Sequence, residues 1–202
     1  MATIESSLKN MLLTLFVITA IAGTSLGFVY KITKEPIAAA KAKKQQDAIK
    51  MVVPPFNNEP GKEVMTVTSK EGLPIKLFPA MKDGKLVGVA VETASNKGFG
   101  GDVKIMVGFK PDGTIENYQV LEHKETPGLG TKMATWFKTD KGNQSILGKN
   151  PGKDKFTVSK DGGDIDAITA ATISSRAFLD AVRIGYESFM ENKDKIVKGG
   201  AQ

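Results

Sequence analysis

Apolar positions are grouped unevenly along this 202-residue chain, and the grouping changes period twice. From Asn10 to Tyr30 there is no charged side chain, and Leu, Ile, Val, Phe, Ala and Gly dominate. Crossing the hydrocarbon of a bilayer as a helix takes roughly 20 such residues. The run therefore predicts a transmembrane helix, with Tyr30 as an interfacial anchor. A cleaved signal peptide is the alternative, because Ala20-Ile21-Ala22 has the small-x-small form of a cleavage site. The apolar run continues past it through Leu26, Phe28 and Val29, which favours a retained anchor.

Residues 33–55 are rich in Ala, Lys and Gln and predict a connecting helix, opened by Pro36 in its first turn and stopped by Pro54 and Pro55. Composition then turns polar, with a short strand expected at 64–67. Beyond it the period drops to two. Runs at 75–81 and 86–91 flank Lys82-Asp83-Gly84-Lys85, and runs at 103–109 and 115–121 flank Pro111-Asp112-Gly113-Thr114. Asp-Gly between alternating β-rich runs predicts a hairpin each time. Four antiparallel strands with one covered face make a workable core.

Residues 131–137 predict a short helix after the Pro127-Gly128 turn, and Phe156-Thr157-Val158 reads as strand-like. From Ile173 the apolar positions Ala177, Phe178, Ala181, Val182 and Phe189 return at helical spacing. Residues 193–202 read as a frayed tail. The fold class is α+β: an anchor over 1–32, a helical connector over 33–55, and an antiparallel sheet packed with helices over 56–202.

Charge and composition narrow the function. The net charge of +6 comes from 28 basic and 22 acidic residues. Much of the excess lies just after the apolar run, at Lys31, Lys34, Lys41, Lys43 and Lys44. Aromatics are not interleaved with these lysines, which argues against nucleic-acid binding. Without cysteine the chain holds no disulfide, iron–sulfur cluster or thiolate zinc site. The lone His123 has no partner for a metal site or a catalytic triad, and no dinucleotide fingerprint occurs. By the positive-inside rule alone, the lysines after Tyr30 leave the soluble part in the cytoplasm. The short leading segment with Lys9 favours the opposite side only weakly.

Candidate chemistry concentrates at 166–176. The hydroxyls of Thr169, Thr172, Ser174 and Ser175 crowd together just where the last helix starts. A helix start offers unpaired N–H groups and positive dipole, so a phosphate beside Thr172 or Ser174 would be held by backbone, with Arg176 adding a bidentate grip. The plain alternative is that Thr172 or Ser174 is an N-cap and the other hydroxyls are solvated. Upstream, Gly98-Phe99-Gly100-Gly101 and Glu125-Thr126-Pro127-Gly128-Leu129-Gly130 either bring backbone close to a ligand or merely turn corners.

Taken together, the anchor, Gly98 to Gly101, Glu125 to Gly130 and Asp166-Ala167-Ile168-Thr169-Ala170-Ala171-Thr172 resemble the FMN-binding domain family. The similarity is strongest to its branch in the G subunits of Rnf electron-transport complexes. The C subunits of sodium-pumping NADH:quinone reductases share the domain. The resemblance implies FMN joined through its phosphate to Thr172 by a flavin transferase, for which Asp166 matters to recognition. Ala170 stands where the family motif usually has glycine. Thr169, Ala171, Ser174, Ser175 and Arg176 would surround the phosphate, and 125–130 would lie against the ring with Gly98, Phe99 and Gly100 nearby. His123 and Trp136 are possible neighbours.

The resemblance also implies a single-pass protein of the inner membrane, in contact with lipid, whose soluble domain lies on the outer face. Its partners would be the other membrane and peripheral subunits of an Rnf-type complex that moves electrons between ferredoxin and NAD and couples them to ion transport. No catalytic acid, base or metal ligand is implied, because a flavin carries its own chemistry. A subunit of the quinone reductase, or a non-redox anchored scaffold, are the competing expectations.

Overall fold

The computed structural model describes residues 7–199, which divide into a unit ending at Lys43 and a second beginning at Lys44. In the first, α1 (Leu8–Val52) begins and runs exposed over its apolar stretch. It is long and apolar enough to cross a membrane as a single-pass anchor. Pro36 lies inside this helix rather than at the start of a separate one. The Ala-, Lys- and Gln-rich residues after it are good helix formers, so the helix propagates through the one lost hydrogen bond.

In the second unit, β1 (Met65–Thr68), β2 (Pro74–Lys82), β3 (Lys85–Ser95), β4 (Val103–Phe109) and β5 (Ile115–Glu122) form one antiparallel meander in sequence order. The β2–β3 turn is carried by Asp83 and Gly84, both at positive φ (52° and 73°), the conformation that matches the twist of a two-residue hairpin. The two expected hairpins are thus joined edge to edge through β3 and β4, which pair from Val89–Phe109 to Ser95–Val103.

The short strand expected at 64–67 is present as β1, and the expectation of one covered face is corrected. β1 joins the two hairpins as a fifth strand of the same sheet, paired with β2. Both faces are covered: α3 (Thr172–Gly199) packs over Leu77, Val91, Ile105 and Val107, while the last turns of α1 bring Ala48, Ile49 and Val52 against Phe78, Ala80, Ala90 and Met106. Two-sided burial explains why β2 to β4 read as nearly continuous apolar runs.

Two further expectations fail. Phe156 to Val158 forms no strand; Val158 makes a single parallel bridge to Ile165 and leads into a 3-10 turn, Ser159–Asp161. Nor does a tail begin at Lys193, because α3 continues to Gly199 and buries Ile196 in the core; residues 200–202 lie outside the described residues. One apolar anchor beyond Phe189 is enough to hold those turns. The expected helix at 131–137 is a 3-10 turn, Gly130–Lys132, followed by α2 (Met133–Trp136).

Candidate functional site

Three segments far apart in sequence meet at the start of α3. They line a cavity of about 430 Å³ formed by Phe99, Thr126, Leu129, Gly130 and the run from Ala170 to Ser174. The volume falls within the ordinary range of small-molecule sites, about 300–1,000 Å³. Its rim is apolar: Phe99 is 70 % exposed, Ile173 48 % and Leu129 37 %.

Among the described residues, no side chain caps the helix start. Ser175 N–H donates to Ala171 O at 3.0 Å, the first helical bond, so Ala171 occupies the N-cap position and has no polar side chain to offer. The N–H groups of Thr172, Ile173 and Ser174 consequently lack intrahelical acceptors. Neither candidate hydroxyl serves as the cap. Ser174 Oγ donates to Glu125 Oε2, and Thr172 Oγ1 accepts from Lys160 Nζ at 3.3 Å. The plain N-cap reading of these residues therefore does not describe this helix.

Buried Glu125 ties the three segments together. Its Oε1 accepts from Gly100 N–H at 3.1 Å, its Oε2 accepts from Ser174, and its own N–H donates to His123 Nδ1 at 3.3 Å. The adjoining glycines are required by this packing. A Cβ on Gly100 would stand 1.9 Å from Lys124 O, and one on Gly130 would stand 2.6 Å from Ser174 Oγ. Here the glycines let protein approach protein.

The other candidates divide. Ser175 is fully buried, donating to Ala171 O and accepting from Ile168 N–H at 2.9 Å, so it knots the turn rather than facing the cavity. Arg176 does not reach for the cavity; Nε and Nη2 grip the two carboxylate oxygens of Asp161 at 2.7 and 2.6 Å. That grip holds Asp161 below the usual carboxylate range. Thr169 and Pro127 are exposed and outside the lining, and Gly128 turns the loop at φ 74°. Ala170, in the lining, has φ 61°, a left-handed conformation that glycine adopts without strain.

Asp166 is engaged from several sides: Oδ2 accepts from Asn143 N–H at 2.9 Å, Oδ1 from Ser159 Oγ at 3.4 Å, and its carbonyl from Trp136 Nε1 at 2.9 Å. Trp136 and His123 thus support the site without lining it. Lys160 and Ile173 are the residues that sequence reasoning missed. Ile173 was visible as part of the helical pattern; nothing local marks Lys160, which arrives through the fold.

The FMN-binding domain model matches residues 98–187, the span that contains all three segments. The G subunit of the ion-translocating oxidoreductase complex of Erwinia tasmaniensis is 36 % identical over 179 residues, 84 % of each chain. The chain belongs to this family. Its counterparts of the same name in Haemophilus influenzae and Vibrio cholerae are 35 % identical over 162 residues, 77 % of each chain, and 30 % identical over 192 residues, 89 % of this chain and 90 % of the relative.

The residues present fit a flavin mononucleotide. Apolar side chains suit a planar ring, and unpaired N–H groups, a lysine and an accessible hydroxyl suit its phosphate. Outside the cavity lining, the strand end that leads into the Gly98 segment is tied to α3 electrostatically. Lys97, just before Gly98, contacts Asp180 of α3 at 3.0 Å, and Ser95 Oγ donates to the same carboxylate at 2.8 Å. Burial alone would raise the pKa of Asp180, but these bonds and that from Arg183 hold it below the usual range.

Proposed function

We propose that this chain is the membrane-anchored electron-transfer subunit of an ion-translocating oxidoreductase complex, carrying FMN covalently linked through its phosphate to Thr172. The observation that carries the reading is the convergence of Phe99, Leu129 and Thr172 on one cavity at an uncapped helix start. The family relationship supports the redox role. When bound, FMN supplies reversible electron transfer.

The protein's part is to hold and tune. Unpaired N–H groups at the head of α3 stabilise phosphate charge. Phe99, Leu129 and Ile173 offer apolar surface to the ring, and Glu125 fixes the spacing of the walls from behind. A flavin transferase is the maturation partner, with Asp166 in its recognition sequence. The remaining subunits of an Rnf-type complex are the standing partners, with electrons exchanged between ferredoxin and NAD. The domain boundaries proposed are 1–32, 33–55 and 56–202. Because the transferase acts outside the cytoplasm, the soluble domain belongs on the periplasmic face of the inner membrane, with lipid around the apolar first part of α1.

The test is in-gel fluorescence of the denatured chain after co-expression with a flavin transferase. A fluorescent band at the mass of this chain supports the reading. A dark band favours the non-redox scaffold and removes the covalent flavin.

A further inference from the structure

From the contact between Lys160 and Thr172, we infer that Lys160 is the positioning residue that pairs with the phosphodiester of the attached flavin. The inference rests on the covalent reading above and adds a residue to it.

Lys160 and Arg176 both stand near the head of α3, and the structure separates them. Arg176 lies within the first turn, but both of its contacting nitrogens are committed to Asp161. Lys160 is exposed, and its Nζ lies 3.3 Å from Thr172 Oγ1. Its ammonium thus stands at the atom that would become the ester oxygen. The non-bridging oxygens of a phosphodiester lie two P–O bonds from that atom, through the phosphorus, within reach of the same ammonium by side-chain rotation. The diester carries one negative charge, and a single lysine matches it in a charge-assisted hydrogen bond.

The backbone carrying Lys160 is held on both sides. Ser159 N–H donates to Ile165 O at 2.8 Å, and Asp161 N–H donates to Val158 O at 2.8 Å. The Asp161–Arg176 pair then ties this turn to α3 itself. A Cβ on Gly163 would stand 2.1 Å from Thr157 O, so the returning side of the turn also lies in close contact. Arg176 therefore serves the phosphate at second hand: it anchors the turn from which Lys160 reaches.

The experiment is phosphorus NMR of the full-length chain in detergent, purified after co-expression with a flavin transferase. Wild type should give a phosphodiester resonance. Lys160→Met should shift it, Lys160→Arg should return it towards the wild-type position, and raising salt should move wild type towards the Lys160→Met value, as expected for an exposed pair. Lys153→Met, an exposed lysine on the same loop, should leave it unmoved. A resonance indifferent to Lys160→Met in a chain that carries the flavin overturns the assignment while leaving the covalent reading intact. A wild-type chain without any phosphodiester signal overturns both.

Discussion

Ser174 Oγ donates its hydrogen bond to the buried carboxylate of Glu125, joining the head of α3 to the loop that follows β5. Because the other oxygen of Glu125 holds Gly100 N–H, this one side chain sets the distance between three walls of the cavity. Removing the carboxylate strands the buried Ser174 hydroxyl, which costs about 1–3 kcal/mol when left unsatisfied, while the N–H of exposed Gly100 can turn to water. Glu125→Ala should therefore lower unfolding stability by about 1–3 kcal/mol in denaturant titration of the full chain. Ser174→Ala should cost much less in the Glu125→Ala background than in wild type. Additive losses would mean the two residues act independently.

Ala170 sits at φ 61° where its methyl gains nothing from the left-handed region. Ala170→Gly relieves strain of about 1–2 kcal/mol. It also gives the unfolded chain more freedom, which offsets about 0.4–1 kcal/mol. A net gain of up to about 1.6 kcal/mol is expected from the denaturation midpoint, with a loss for Ala170→Val, whose branched side chain tolerates positive φ less well. A gain for valine would refute the strained backbone.

Asp180 provides the pH dependence. Its folded pKa is depressed by hydrogen bonds from Lys97, Ser95 and Arg183 that outweigh burial. A depressed carboxylate contributes stability that is present above the ordinary Asp pKa of about 3.9 and is lost as pH falls through the lower folded value. Thermal unfolding followed from pH 7 to pH 3 should show that loss. Asp180→Asn should be less stable at neutral pH and show a shallower decline below about pH 4. Parallel curves for the two proteins would rule out Asp180 as the titrating group.

Much of this fold was legible because local chemistry decides it. Asp83-Gly84 and Asp112-Gly113 mark the hairpins by the backbone geometry that Asp-Gly permits, and the apolar spacing from Ile173 marks α3. What stayed hidden depends on contacts between distant residues. The second covered face of the sheet needs the end of α1, which reads locally as a connector. Ile196 keeps the last turns of α3 ordered through the core, not through its own neighbours in sequence.

The candidate site divides in the same way. Thr172 and the glycine segments were legible as motifs, and the structure brings Phe99, Leu129 and Thr172 to one cavity. Their local roles were not legible. Arg176 looks like a phosphate ligand until Asp161, 15 residues earlier, claims it. Glu125 looks like an ordinary strand-end carboxylate until Gly100 and Ser174 converge on it. Lys160 has no sequence signal beyond being one lysine among many.

Whether Thr172 carries the cofactor is decided by intact mass spectrometry of the full chain. After co-expression with a flavin transferase, the wild-type mass should exceed the sequence mass by FMN less one water, the fragment bearing Thr172 should hold the addition, and Thr172→Ala should return the chain to its sequence mass. A wild-type chain at its unmodified mass, or a Thr172→Ala chain that keeps the addition, would refute attachment at this threonine.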